Sequence, residues 1–402
     1  MQTNLADFIK NTPAGREADA ILRKCVHCGF CTATCPTYQL LGDERDGPRG
    51  RIYLIKQVLE GEVPTARTQL HLDRCLTCRA CETTCPSGVR YGRLADIGRE
   101  VIEQQVPRTL LARITRRCLR AVLPYPARFT PLLRMGQLVR ALLPGALRSK
   151  IPDRRPAPPR PGTRHARHVL LLEGCVQPAL APEINAHAAR VLDALGISVQ
   201  SAPRAGCCGA VSHHLSAHEE SLAFMRRNVD AWWPHVEAGA EAIVITASGC
   251  GTMVRESGDL RAHAARSAQR ARRVSELARD LAEVVAAQDV GSLPRPAPRR
   301  IAFHSPCSLQ HGLRIRGAVE SILLGMGHEL TTVADAHLCC GSAGTYSILQ
   351  PELSRRLLAN KVHALEDGAP ELIATANIGC LAHLQSGSSR PVVHWISLLE
   401  PA

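Results

Sequence analysis

Two stretches constrain this chain more than any other feature: CVHCGFCTATCP, from Cys25 to Pro36, and CLTCRACETTCP, from Cys75 to Pro86. Each spaces four cysteines as C-x2-C-x2-C-x3-C and stops at a proline. Two-residue gaps let three sulfurs converge on three corners of one inorganic cube, while the proline turn carries the fourth sulfur towards a neighbour. This is the ligand pattern of paired [4Fe-4S] clusters, and the run occurs twice because each copy lends one ligand to the other. Cys25, Cys28, Cys31 and Cys85 are therefore expected around one cluster, and Cys75, Cys78, Cys81 and Cys35 around the second. Zinc also accepts C-x2-C, but usually as two pairs making four sulfurs. Eight cysteines in two proline-closed runs favour the clusters.

The chain has 17 cysteines in 402 residues. In a small secreted domain such a count implies disulfides; in a longer chain with motif spacing it implies metal or redox chemistry. Neither a signal-peptide run nor about 18 uninterrupted apolar residues can be found, so a cytoplasmic protein is expected. The net charge is +13 with a pI near 9.2, which invites a nucleic-acid reading. The charge is concentrated, however: from Val106 to His168 fourteen arginines and one lysine face a single acid, Asp153. Aromatic residues make up only 3% of the chain, too few for the stacking platforms of a single-strand binder. No nucleic-acid partner is expected.

Two proline-rich stretches, DRRPAPPRPG from Asp153 and LPRPAPRR from Leu293, read as spacers. The expected organisation is α+β and multidomain. Residues 1–104 form a mainly helical two-cluster domain, 105–165 a basic helical segment with a linker, and 166–292 and 293–402 two duplicated α/β modules. The duplication is visible in the landmarks: Cys175 to Cys207 and Cys307 to Cys339 are equally spaced, and both Cys207-Cys208 and Cys339-Cys340 are followed by glycine. Short β-branched runs such as AIVITASGC end at a cysteine, and helical stretches such as APEINAHAARVLDALG lie between them. Strand then helix, repeated, predicts a parallel sheet with the cysteines at the carboxyl ends of the strands.

Adjacent cysteines cannot easily both face a core, so each Cys-Cys-Gly turn is expected to present two sulfurs to one ligand. With Cys175 and Cys250 in the first module, and Cys307 and Cys380 in the second, four thiolates per module suffice for a further cluster or a zinc ion. Inert packing and a reactive, quinone-facing site are the other readings. Histidines gather nearby: His213 and His214, His304 and His311, and His337. A lone histidine is more often a satisfied core or surface group than a ligand. Cys118 has no motif partner and is expected to be structural. Arg45, Arg49 and Arg51, between the two runs, either neutralise cluster charge, dock a partner or mark a solvated helix start. The arginine–leucine spacing of residues 108–150 predicts basic amphipathic helices, suited to anionic lipid or to packing between domains.

The context CVHCGFCTATCPTYQLLGDERDGPRGRIYLIKQVLEG, followed by CLTCRACETTCPSGVRYGRLADIGREVIE, resembles the iron–sulfur subunits of bacterial glycolate oxidases (glycolate dehydrogenases), and the order of the Cys-Cys-Gly modules matches along essentially the whole chain. The resemblance implies an oxidoreductase subunit that only carries electrons. Two FAD-type partner subunits would oxidise glycolate to glyoxylate, and the clusters here would pass the electrons towards a quinone-type acceptor. Iron–sulfur subunits of lactate-utilisation systems and anaerobic glycerol-3-phosphate dehydrogenase share the modules, as does heterodisulfide reductase. The last of these implies an alternative in which the modules themselves reduce a disulfide or quinone. In that wider group the module ends in C-x-x-C; here the last position is Met253 in one copy and His383 in the other. No G-x-G-x-x-G follows any expected strand, so no flavin is expected on this chain.

Overall fold

The computed structural model describes residues 1–142, 144, 151–258 and 265–400. It divides into two compact units: Met1–Arg116 with His337–Lys361, and Arg117–Ala336 with Val362–Ala402.

The first unit is helical because its apolar residues recur at helical spacing between strong start signals. Helix Pro13–Lys24 begins after Thr12, whose hydroxyl accepts from the amide of Gly15 at 3.0 Å, with proline at the first helical position. Helix Pro48–Leu59 also opens on proline, and Tyr91–Gln105 is the longest of the three. Their inward faces meet in one core that includes Leu22, Ile55, Leu59, Leu94 and Ile97. A Cβ on Gly98 would lie 2.7 Å from Ile55, so glycine is what allows the two later helices to pack this closely. Truncating Ile55 or Leu94 to alanine costs about 2–5 kcal/mol. Among the described residues this unit contains no strand. His337–Lys361 carries Cys339 and Cys340, the short helix Tyr346–Leu349 and most of helix Pro351–Glu366.

The second unit holds two four-stranded parallel sheets. The first is formed by β1 (Arg167–Leu171), β2 (Ile197–Ser201), β3 (Ile243–Ile245) and β4 (Ala278–Asp280), in the order β2-β1-β3-β4. The second repeats it with β5 (Arg300–His304), β6 (Glu329–Leu330), β7 (Leu372–Thr375) and β8 (Val392–His394), ordered β6-β5-β7-β8. All pairings are parallel, with Leu170 opposite Ile243 and Ile301 opposite Leu372 at the centres. The central strands are buried along most of their length, which explains their continuous Val/Ile/Leu runs. Helices Glu183–Ala194 and Ala318–Gly325 supply the predicted crossovers, and the left-handed Gly196 and Gly327 follow them.

The two modules meet along equivalent elements. Ser248 and Ser308 share a hydroxyl hydrogen bond of 2.7 Å, the amide of Ser248 donates to the carbonyl of Ala376, and His394 Nε2 donates to the carbonyl of Thr246 at 2.9 Å. Because Nδ1 of His394 accepts from the amide of Ile396, its ring is the neutral Nε2–H tautomer.

The predicted basic helices are Leu110–Val122 and Pro126–Val139, neither with a buried residue. The end of that basic segment, 145–150, lies outside the described residues. Cys118, expected as a structural residue, is exposed: it sits on a helix with no buried face, so there is no core for it to fill.

Candidate metal centres

Each cysteine run folds as a tight loop into a short helix. In the first, His27 and Gly29 take positive φ and helix Phe30–Ala33 follows; in the second, Thr77 and Arg79 take positive φ and Ala80–Thr84 follows. These left-handed turns aim successive sulfurs inward rather than along an extended strand. The fourth cysteine of each run, Cys35 or Cys85, stands in an extended conformation just past its short helix.

Two cavities result. One, with an empty volume of about 430 Å3, is lined by Cys25, Cys28, Cys31 and Cys85, with Cys81 on its wall. The other, about 290 Å3, is lined by Cys35, Cys75, Cys78 and Cys81. Thus Cys85 stands with the first run and Cys35 with the second, across a shared wall at Cys81. Burial pushes the Cys31 thiol up to about 11, with Cys25 adding to the rise, and Cys81 is driven up by burial and by Cys78, Cys75 and Cys35. Thiols crowded so tightly cannot all ionise unless a cation takes their charge. The donor set of soft sulfurs in two adjoining pockets therefore fits two [4Fe-4S] groups.

The surroundings of the two cavities differ. Arg45 is exposed and paired with Asp43, which suits the solvated-helix reading, whereas Arg49, paired with Glu44 at 2.6 Å and partly exposed, lines the first cavity and reaches the His27 carbonyl. Arg51 does not: it is 1% exposed and lines the second cavity. Its Nε donates to the carbonyl of His71 at 2.7 Å, Nη1 to Thr37 at 3.1 Å, and Nη2 reaches Asp46 at 3.4 Å. Asp46, fully buried, also accepts from Arg74 at 2.8 Å and from His71 Nδ1 at 3.1 Å. Arg99 donates to the carbonyls of Leu72 and Cys75, each at 2.7 Å. Burial alone would raise the Cys75 thiol, but Arg51, Arg99, the Tyr91 hydroxyl and the Thr77 amide outweigh it and hold Cys75 below its ordinary value. Sequence reasoning singled out Arg51 but missed Asp46, Arg99 and Tyr91, since nothing local marks an ion pair assembled across helices.

In the first sheet the order places the switch in chain direction between β1 and β3, where ligands of such sheets bind at the carboxyl ends. Cys175 follows β1, and Cys250 lies in the first turn of helix Ser248–Glu256 after β3. Cys207 and Cys208 arrive from the loop beyond β2. Cys208 Sγ lies 3.3 Å from Cys250 Sγ, and Cys207 accepts from the thiols of Cys175 and Cys208, which with the Gly209 amide and Arg227 lowers Cys207 to about 4 despite its burial. Four sulfurs therefore converge, one of them readily a thiolate, against Phe224, Tyr125 and Val176. Met253, in place of a further cysteine, is buried in the apolar core and offers no thiolate. Gly209 has φ 90°, and a Cβ there would meet the Ser221 carbonyl oxygen at 2.9 Å, which is why the turn requires glycine.

In the second sheet Cys307 follows β5 and precedes a π-helical turn, Ser308–Gly312, while Cys380 lies in helix Ile378–Gln385 after β7. His304 and His311 are buried. In the first unit the amide of Gly341 donates to Cys339 Sγ at 3.4 Å, and Ser354 donates to the Gly341 carbonyl at 2.8 Å. His213 is buried and His214 exposed, with His213 and His218 rings 4.9 Å apart.

A helical two-run cysteine unit joined to duplicated α/β modules defines an iron–sulfur electron-carrier class. Comparison with known families agrees: residues 21–89 match the 4Fe-4S dicluster domain, and 169–255 and 301–385 each match the cysteine-rich domain. The chain is 58% identical over 403 residues to the glycolate oxidase iron-sulfur subunit of Escherichia coli, covering all of this chain and 99% of that one. A probable glycolate oxidase iron-sulfur subunit of Bacillus subtilis is 29% identical across 95% of this chain and 92% of its own. Lactate utilization protein A of Shouchella clausii is 25% identical across 58% of this chain and 98% of its own. The chain belongs to the family of glycolate oxidase iron–sulfur subunits.

Proposed function

We propose that this chain is the electron-transfer subunit of a glycolate-oxidising complex, carrying electrons from FAD-type partner subunits, where glycolate becomes glyoxylate, towards a quinone-type acceptor. The observation that carries this reading is the crossing of the two cysteine runs: Cys85 lines the cavity of the first run and Cys35 that of the second. Cys25, Cys28, Cys31 and Cys85 would hold one [4Fe-4S] group, and Cys75, Cys78, Cys81 and Cys35 the other. Bound there, such groups accept and release one electron at a time. The protein's own part is to hold the thiolates and set the local charge.

The four convergent sulfurs Cys175, Cys207, Cys208 and Cys250 would hold a further metal group in the first module. By sequence, Cys307 and Cys380 correspond to Cys175 and Cys250, and Cys339 and Cys340 to Cys207 and Cys208. Metal analysis decides: about eight irons per chain fit the paired runs alone, and about twelve, or eight with zinc, would place metal in the modules.

The test of function is electron paramagnetic resonance of the anaerobically purified native assembly before and after glycolate, with D-lactate, L-lactate and glycerol 3-phosphate as comparisons. Glycolate-dependent reduction of signals from this subunit supports the assignment; reduction by another substrate alone transfers the role to that substrate.

Peripheral membrane contact has its own observation. Leu132, Met135, Leu138 and Leu142 are exposed on the later part of the basic helical segment, and no described helix is long and apolar enough to cross a membrane. Such a face suits an anionic lipid surface. Flotation of the assembled complex with phosphatidylglycerol vesicles at low salt tests it, and a complex that stays in the soluble fraction refutes it.

A further inference from the structure

The two cavities of the first unit are not electrostatically equal. At the first, Arg49 is neutralised by Glu44, and the amino-terminal ammonium on the Cys25 carbonyl is only partly buried. Its rim carries exposed residues: Val26 and Phe30 are 67% and 61% exposed, and Cys28 is exposed. At the second, Arg51 and Arg74 share the single carboxylate of Asp46, leaving one positive charge, and Arg99 on the Cys75 carbonyl adds another. Arg79 also lines this cavity. Arg51 and Asp46 are buried, so water and salt screen this excess far less than the charges around the first cavity.

An all-thiolate [4Fe-4S] group is anionic and gains a further negative charge on reduction, so a buried cation stabilises the reduced form and raises its potential. We propose that the Arg51–Asp46–Arg74 group with Arg99 makes the second cavity the electron sink of the pair. With both groups bound, an electron arriving at the first cavity would favour the second, with no proton or bond exchanged. This rests on the reading that both cavities hold [4Fe-4S] groups. The way onward is marked from the same side. Tyr346, from the segment that bears Cys339 and Cys340, donates its hydroxyl to the carbonyl of Arg74 at 3.0 Å, one residue before Cys75.

Arg51 and Asp46 act through the cluster's thiolates and are positioning residues, so the test reads potentials rather than turnover. The anaerobic holoprotein is titrated by paramagnetic resonance, with Cys78→Ser used to identify the second signal. In the native protein the second signal reduces at the higher potential. Arg51→Met lowers its midpoint by at least about tenfold in the one-electron equilibrium, 59 mV, and leaves the first unmoved. Arg51→Lys restores most of that shift, Asp46→Asn moves the midpoint the opposite way, and Arg99→Gln lowers it. If Arg51→Met loses iron, the Asp46→Asn and Arg99→Gln arms carry the same prediction. A first cluster of higher potential in the native protein, or variants that keep their iron and shift neither midpoint, overturns the proposal. Fewer than eight irons in the native chain would instead overturn the cluster reading on which it stands.

Discussion

Acid should loosen the joint between the two modules, and His394 sets how far. The ring is 3% exposed, donates through Nε2 to Thr246 across the module boundary, and accepts at Nδ1 from Ile396. Burial holds it down at about 4, against an ordinary value of 6.5. A proton would have to displace a backbone donor at Nδ1 and place charge in the core. The unfolded chain takes up that proton below about pH 6.5, whereas the folded chain resists until about pH 4, so stability is lost as pH falls through this window. Between these two values the linkage amounts to about 2 kcal/mol lost by pH 5 and about 3 kcal/mol by pH 4. All three tryptophans, Trp232, Trp233 and Trp395, belong to the second unit, and Trp395 adjoins His394 and is fully buried. Anaerobic urea unfolding followed by tryptophan fluorescence from pH 7 to 4.5 therefore reads this joint. His394→Gln should start less stable and show a smaller acid dependence by about 2 kcal/mol at pH 5. His187 is also held low by burial, with the same sign, and adds to the lowering of His394, so the difference reads His394 together with that interaction. Equal acid loss in both proteins would refute the reasoning.

Substituting the fourth cysteine of one run should damage the cluster of the other. Cys85→Ser should alter the resonance that Cys28→Ser alters, and Cys35→Ser that of Cys78→Ser; uncrossed pairing would reverse the match. Gly341→Ala should be costly, because φ is 90° and its Cβ would lie 2.7 Å from the Ser354 carbonyl oxygen. A loss of about 2 kcal/mol or more should appear as a lowered thermal midpoint, while Gly42→Ala, at positive φ in open space, should cost only the strain of about 1–2 kcal/mol. Asp73→Asn removes the partner of Arg108, 2.6 Å away, and of Arg116 at 3.3 Å. Thermal unfolding should show a loss of about 1–3 kcal/mol, and no change would mean that this partly exposed network contributes nothing.

The cysteine runs could be read without coordinates because their chemistry is local. Sulfurs two residues apart meet one metal group wherever the loop is placed, and the following proline ends the run. Strand and helix periodicity in the modules was legible for the same reason: each β-branched run and each glycine stop acts within a dozen residues. Arg51 shows the limit. In GPRGRIYLIK it looks no different from Arg49, yet Arg49 is partly exposed at the first cavity and Arg51 buried at the second, because only the packing of helix Pro48–Leu59 decides which side of the turn faces Asp46 and His71. Likewise, sequence spacing predicts four cysteines per module, whereas the β2-β1-β3-β4 order brings Cys175 and Cys250 to the same crevice. The donor types and their spacing were thus determined by sequence alone, through short-range backbone geometry. The charge around each cavity, the contact between Tyr346 and Arg74 some 272 residues apart, and the neutral ring of His394 were decided by the tertiary structure. Those depend on which buried groups share a low-dielectric space, and chain order does not record that.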